Sequence, residues 1–325
     1  MHPLIVKKNL VNTAKLKWII PAVIMLLVLP GALAWQIISR QMAGQAELKV
    51  QKTLQRFDLA DKVQWEKLSI SPFGDLTFNH LRLRIGMSPD NYLSVQQARI
   101  SDVIDQTERR RFRVQLKQAK PELSAIALKG VPEALLNPLD INLQLDLNFS
   151  SNQAQLIYDS QQAEVGDIAL QLHLSQIDAL RGVLESLFPQ SAAASADLDP
   201  NLIGLNRLVA IYSLSLNSFD GKINNHGIIK HLTDAIKEDM NKETGGKGEQ
   251  AFMRVIQEAQ AACHNGAEAL KPPCENLADF ILGKKNSLHV TAKPAQPVSP
   301  VQLNRAMNST RKSEAVFELL NITIK

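Results

Sequence analysis

The sequence predicts an α+β fold: a single N-terminal transmembrane helix followed by a predominantly antiparallel β-meander body with packed helices. Three observations carry this. Residues 18–38 contain no charge, residues 139–149 alternate apolar and polar side chains without a break, and three later stretches repeat apolar residues at helical spacing between Gly and Pro punctuation. Period 2 belongs to strands and period 3.6 to helices, so both kinds of element are expected.

The uncharged stretch reads WIIPAVIMLLVLPGALAWQII, 21 residues. At about 1.5 Å per residue it matches a hydrocarbon core of roughly 30 Å. Trp18 and Trp35 stand near its ends, where amphipathic rings favour the headgroup level as membrane-interface anchors. Lys7, Lys8, Lys15 and Lys17 precede it and only Arg40 and Lys49 follow closely, so residues 1–17 read as a cytoplasmic basic tail. The remainder is then exported, which for a bacterium means the periplasmic side of the inner membrane. A cleaved signal peptide is the competing reading, because Ala32-Leu33-Ala34 has the small-x-small form of a cleavage site. Continuation of the apolar run through Trp35, Ile37 and Ile38 favours a retained signal-anchor.

Charge narrows the partners. Of 36 Lys and Arg residues four lie in the basic tail, leaving 32 against 32 Asp and Glu, so the body is neutral and no nucleic-acid surface is expected. A hydrophobic fraction of 45% argues against both a disordered chain and a polytopic membrane protein.

Behind the span, residues 39–61 read as a helical juxtamembrane segment with Leu48, Val50, Leu54 and Phe57 on its apolar side. One periplasmic α+β domain over 62–325 is expected, with a possible seam at 189–200, an Ala/Ser stretch. Short alternating segments over 63–100 predict a meander, and the phase change between Phe78 and Leu81 predicts a bulge containing His80. Strict alternation over 139–149 predicts an antiparallel strand with one apolar face, since strands buried on both faces read as continuous apolar runs. Strands follow at 154–158 and 167–174, and Asp220-Gly221 between YSLSLNSF and KIN predicts a tight hairpin turn. Ile177, Leu180, Leu184 and Leu187 predict a helix stopped by Pro189. Ile229, Leu232, Ile236 and Met240, then Phe252, Val255, Ile256 and Ala259, predict a helical hairpin around the loop 245–248, laid over the sheet. A strand at SLHVTAK, a helix over 301–311 and a last strand at FELLNITIK close the chain.

Chemistry-bearing constellations are sparse. Cys263 and Cys274 close a short loop and in an oxidising compartment form a disulfide, while a metal site with His264 lacks the spacing of zinc ligands. His226 and His231 are five apart and off a common helical face, and His173 and His289 fall at polar or mixed strand positions. No nucleophile elbow, phosphate loop or metal-spaced carboxylate cluster is present, so no catalytic, cofactor-binding or metal residue is assigned and a non-enzyme is expected. One charged segment stands apart: ERRRFRVQLKQAK over 108–120, with six basic residues and one acidic. It reads either as a solvated edge strand or helix face, or as a contact for lipid phosphates or an acidic partner through Arg109, Arg110, Arg111 and Arg113. The amphipathic strands likewise have two readings: an apolar face covered by the helices of 226–262, or an open groove that holds acyl chains.

The basic N-terminus, the single anchor, WEKLSISPFGDLTFNHLRLRI and YLSVQQARISD together resemble the opening of AsmA-like envelope proteins. The resemblance covers about residues 15–105. It implies an inner-membrane protein with a β-rich periplasmic body concerned with envelope lipid homeostasis, with membrane lipid and other envelope proteins as partners. An accessory or scaffold subunit of an envelope complex, such as a secretion system, is the alternative expectation. The chain departs from the family in its short length and its later helices.

Overall fold

The computed structural model describes residues 46–56, 59–71, 74–85, 90–123, 133–187, 209–264, 268–309 and 312–325. Eleven strands run β1 (Val63–Gln64), β2 (Lys67–Ile70), β3 (Leu76–Arg84), β4 (Tyr92–Gln106), β5 (Arg109–Glu122), β6 (Leu139–Asn148), β7 (Gln153–Gln162), β8 (Gly166–Ser175), β9 (Ser215–Asn225), β10 (Ser287–Ala292) and β11 (Ile322–Ile324). They form one sheet in chain order, every described pairing antiparallel, with β1 and β2 lying end to end along β3. Helices are α1 (Ala46–Arg56), α2 (Asp178–Leu187), α3 (Ile228–Thr244), α4 (Gly248–His264), α5 (Lys271–Ile281), α6 (Pro300–Met307) and α7 (Lys312–Leu320).

Alternation decides which side of the sheet is dry. In β6 Ile141 and Leu143 are buried while Asp140 is exposed, and in β5 Phe112, Val114 and Leu116 are buried on the same side. The dry side of β1–β6 forms the main core, with Leu76, Leu83, Val95 and Leu143 fully enclosed, and Val50 and Leu54 of α1 pack into it one helical turn apart.

A crease crosses this part of the sheet. Buried side chains recur three apart instead of two at Phe78/Leu81, Val95/Ala98 and Leu116/Ala119 on three neighbouring strands. His80 and Gln118 lie on it with φ of 50° and 53°. A left-handed residue inverts the side-chain phase of its strand. Because β3 and β4 invert together, their register stays continuous across the crease, and at the crease the register shifts where β5 meets β6, between Leu116 and Ala119. His80 is thus at the phase change that the sequence indicates, and its Nδ1 lies 2.6 Å from Glu66 Oε2.

The expected fold class needs correction. The described residues are mostly antiparallel sheet with helices, and none of their helices is long and apolar enough to cross a membrane. The longest, α3 and α4, have 17 residues each and carry charges along their length. Residues 18–38, with Trp18 and Trp35, lie outside the described residues, as does the possible seam at 189–200.

Smaller differences have local causes. Asp220-Gly221 is no turn: β9 runs straight through it, pairing Gly221 with Leu170 on one side and Val290 on the other. Glycine is needed there because the Phe219 ring lies over it, and an added Cβ would stand 2.7 Å from the ring. The first four residues of FELLNITIK, 317–320, belong to α7, where Val316, Leu319 and Leu320 pack into one cluster, and only Ile322–Ile324 extend as β11. The arginine-rich segment is neither an edge strand nor a helix face but β5, paired on both sides. The helix α5 carries Cys274 and follows an Asx-free start with Pro near its first turn.

Candidate functional site

Two surfaces follow from the alternation, one on each side of the sheet. On the dry side, cross-strand pairing lines up apolar residues in continuous rows. One row runs Leu145–Leu156–Leu172–Phe219–Ala292–Ile322, and the next Leu143–Tyr158–Leu170–Gly221–Val290–Ile324. Helices cover these rows unevenly. Leu180 and Leu184 of α2 pack on Leu145, Leu147, Phe149 and Ala154. Leu303 of α6 and Val316 and Leu319 of α7 pack on Leu216, Phe219 and Ala292. The helix α5 lies against β10 and β11, with Ala278 and Phe280 buried and Asn276 Nδ2 donating to Ile324 O at 2.6 Å. Leu170, Ile168, Ile223, Val290 and Ile324 are half-buried and belong to none of the three packed clusters of the described residues. No residue of α3 is buried, and Ile236 remains exposed, so this helix does not lie flat on the rows as a cover would. Burial pushes the Tyr158 phenol above its ordinary value, which marks its end of the second row as apolar surroundings.

On the wet side, charges are matched across strands. Arg82 reaches Glu122 at 2.7 Å, Arg99 reaches Asp75 at 2.5 Å and Arg113 reaches Asp102 at 3.2 Å. Strand parity splits the four arginines that the sequence singles out. Arg109, Arg111 and Arg113 face the wet side, whereas Arg110 stands opposite Leu147 on the other side, beside Asp105. Burial raises the Asp105 carboxyl against the opposing pull of Arg110. Arg109 and Arg111 converge on one carboxylate: Asp146 accepts from Arg109 Nε and Nη2 at 3.1 and 2.7 Å, and from Arg111 Nε and Nη2 at 2.9 and 2.6 Å. The hydrogen bond from Arg109 is the main reason the Asp146 carboxyl is held below its ordinary value, with Arg111 adding to it and burial opposing. Glu108, next to the cluster, is lowered by its hydrogen bond from Arg181. Two guanidinium groups on one carboxylate leave one positive charge in surplus, so the cluster retains part of its capacity for an anion.

Cys274 is disulfide-bonded, and the chain has one other cysteine, Cys263. Among the described residues no group of three or more His, Cys, Asp or Glu is placed to hold a metal ion. His226 lies 3.6 Å from Asp167, His289 lies 3.0 Å from Asp220, and His173 contacts Gln171, three separate places on the fold. Sequence reasoning passed over the surroundings of His289, which only cross-strand pairing assembles.

The fold and these surfaces define an open antiparallel meander with one apolar and one charge-matched side. The chain belongs to a family described as "Uncharacterized protein", whose model matches residues 159–325, from within β7 to the end of the sheet. The match begins beyond the residues that carry the AsmA-like resemblance. No curated protein matches the chain.

Proposed function

We propose that this protein acts by binding, without catalysis, in the bacterial envelope, and that the apolar rows of β7–β11 hold the acyl chain of a membrane lipid. The observation that carries this reading is the half-buried strip of Ile168, Leu170 and Ile223, which continues the dry side of the sheet between α2 on one side and α5, α6 and α7 on the other. A soluble core element is ordinarily buried by its neighbours, and a continuous apolar strip with polar residues on the reverse side is the form that acyl-chain sites take. The disulfide at Cys274 supports an oxidising compartment, hence the periplasmic side. The surplus charge at Arg109 and Arg111 supports contact with lipid phosphate.

Mass spectrometry of lipids that co-purify with the detergent-extracted protein tests the reading. Stoichiometric acyl lipid is expected, with a loss of at least about fivefold in Leu170→Asp, because a carboxylate in such a strip opposes transfer of an alkyl chain from water. A folded, lipid-free wild-type protein overturns the reading and leaves the alternative, a scaffold subunit of an envelope complex.

A further inference from the structure

At the end of the sheet farthest from α1, several basic side chains gather on the wet side. Cross-strand pairing sets Lys222, His289 and Lys325 in one row over β9, β10 and the residue after β11, with neighbouring strands about 4.8 Å apart. One residue pair along, Thr291 stands opposite Thr323, and Lys293 follows Thr291 on the same side. Asp220, His289, Thr291, Lys293, Thr323 and Lys325 line a cavity of about 170 Å³. At about 30 Å³ per water, that is room for a small oxyanion and part of its hydration shell.

The donors and acceptors in this cavity are unequal. Asp220 supplies the side-chain carboxylate among the residues that line it, and its Oδ1 is engaged by His289 Nε2 at 3.0 Å, while the main-chain oxygen of Lys325 accepts from His289 N at 3.0 Å. Lys293 and Lys325 form no ion pair with a described side-chain carboxylate, in contrast to Lys230, Lys237, Lys242, Lys271 and Lys284, although Lys285 likewise has only the amide of Asn276 as its partner. Two ammonium groups and two hydroxyls therefore line a cavity whose one side-chain carboxylate is already engaged by His289. Such a set gives an anion charge-assisted hydrogen bonds from several directions, with the hydroxyls as neutral donors.

We propose that this cavity is a binding site for a phosphate group, held by Lys293 and Lys325 with Thr291 and Thr323 as hydroxyl donors. The site lies on the side of the sheet opposite the apolar rows, so it stands or falls independently of acyl-chain binding. The phosphate belongs either to a lipid headgroup or to a soluble phosphorylated molecule.

The test is titration of the full-length ¹⁵N-labelled chain, in nonionic detergent, with inorganic phosphate. Saturable shifts of the amides of 289–293 and 323–325 are expected, with affinity at least about tenfold weaker in Lys293→Gln/Lys325→Gln and weaker in Thr291→Val/Thr323→Val. Lys230→Gln, remote and already paired, should leave the affinity within about twofold of wild type. Absence of saturable shifts up to about 10 mM phosphate, or equal affinity in the double lysine variant, overturns the proposal. Displacement of phosphate by phosphatidic acid in mixed micelles assigns the site to a lipid headgroup. Displacement by glycerol 3-phosphate without displacement by the lipid assigns it to a soluble ligand.

Discussion

Asp146→Asn removes the charge on which Arg109 and Arg111 converge while keeping the shape of the side chain. Four hydrogen bonds reach that carboxylate in the wild type. Hydrogen bonds to charged groups contribute about 1.5–3 kcal/mol each when well shielded. Here the two guanidinium groups are 40% and 32% exposed, so water replaces much of what is lost. The net cost should be about 1–2 kcal/mol, read as a lower urea midpoint at unchanged slope and a melting temperature lower by about 2–6 °C. The effect carries a pH signature. Because the folded carboxyl is held below the ordinary value of 3.8, the unfolded chain takes up that proton first as pH falls. Its contribution is therefore complete above that value and lost as pH drops through the depressed one. The difference between wild type and variant should be constant near neutrality and shrink below pH 3.8. A variant within about 0.3 kcal/mol of wild type at pH 7, or a difference that does not shrink in acid, refutes the assignment of Asp146 as the shared counter-ion.

Two further outcomes are expected. Gly221→Ala puts a methyl against the Phe219 ring and 3.2 Å from Leu170 Cδ2, so the ring must shift, and thermal unfolding should show a loss of about 1–2 kcal/mol. Dithiothreitol should lower the wild-type unfolding midpoint by an amount equivalent to about 2–3 kcal/mol, as loop-closure entropy gives for so short a loop, and should leave Cys274→Ser unchanged. An equal response in both proteins would remove the disulfide from the account of stability.

Much of the fold is legible in local pattern, and the departures are instructive. The strand over 139–149 needs nothing but its own alternation, and its neighbours at 153–162 and 166–175 follow from turns of Ser, Asn and Gly. The phase change at His80 is visible because inverting one residue displaces every later apolar position. By contrast, Asp220-Gly221 carries a strong local turn signal that loses to a packing need: the ring two residues back occupies the space where a side chain would be. Leu319 and Leu320 read as strand from their neighbours, yet they pack with Leu216 and Ala292, the former about a hundred residues earlier in the chain.

The sequence by itself determined that the body is an antiparallel sheet with one dry and one wet side, because a period of 2 is a property of each strand taken alone. It also determined where helices interrupt the strands and which thiols are available. Only the tertiary structure decided which charges meet. Arg109 and Arg111 are neutralised in part by an aspartate some 35 residues away, and Lys222, His289 and Lys325 stand in one row, because register across strands brings together residues whose separation in sequence carries no signal. It likewise decided how far the helices reach over the apolar rows, since coverage depends on the length and placement of several elements at once rather than on the composition of any one of them.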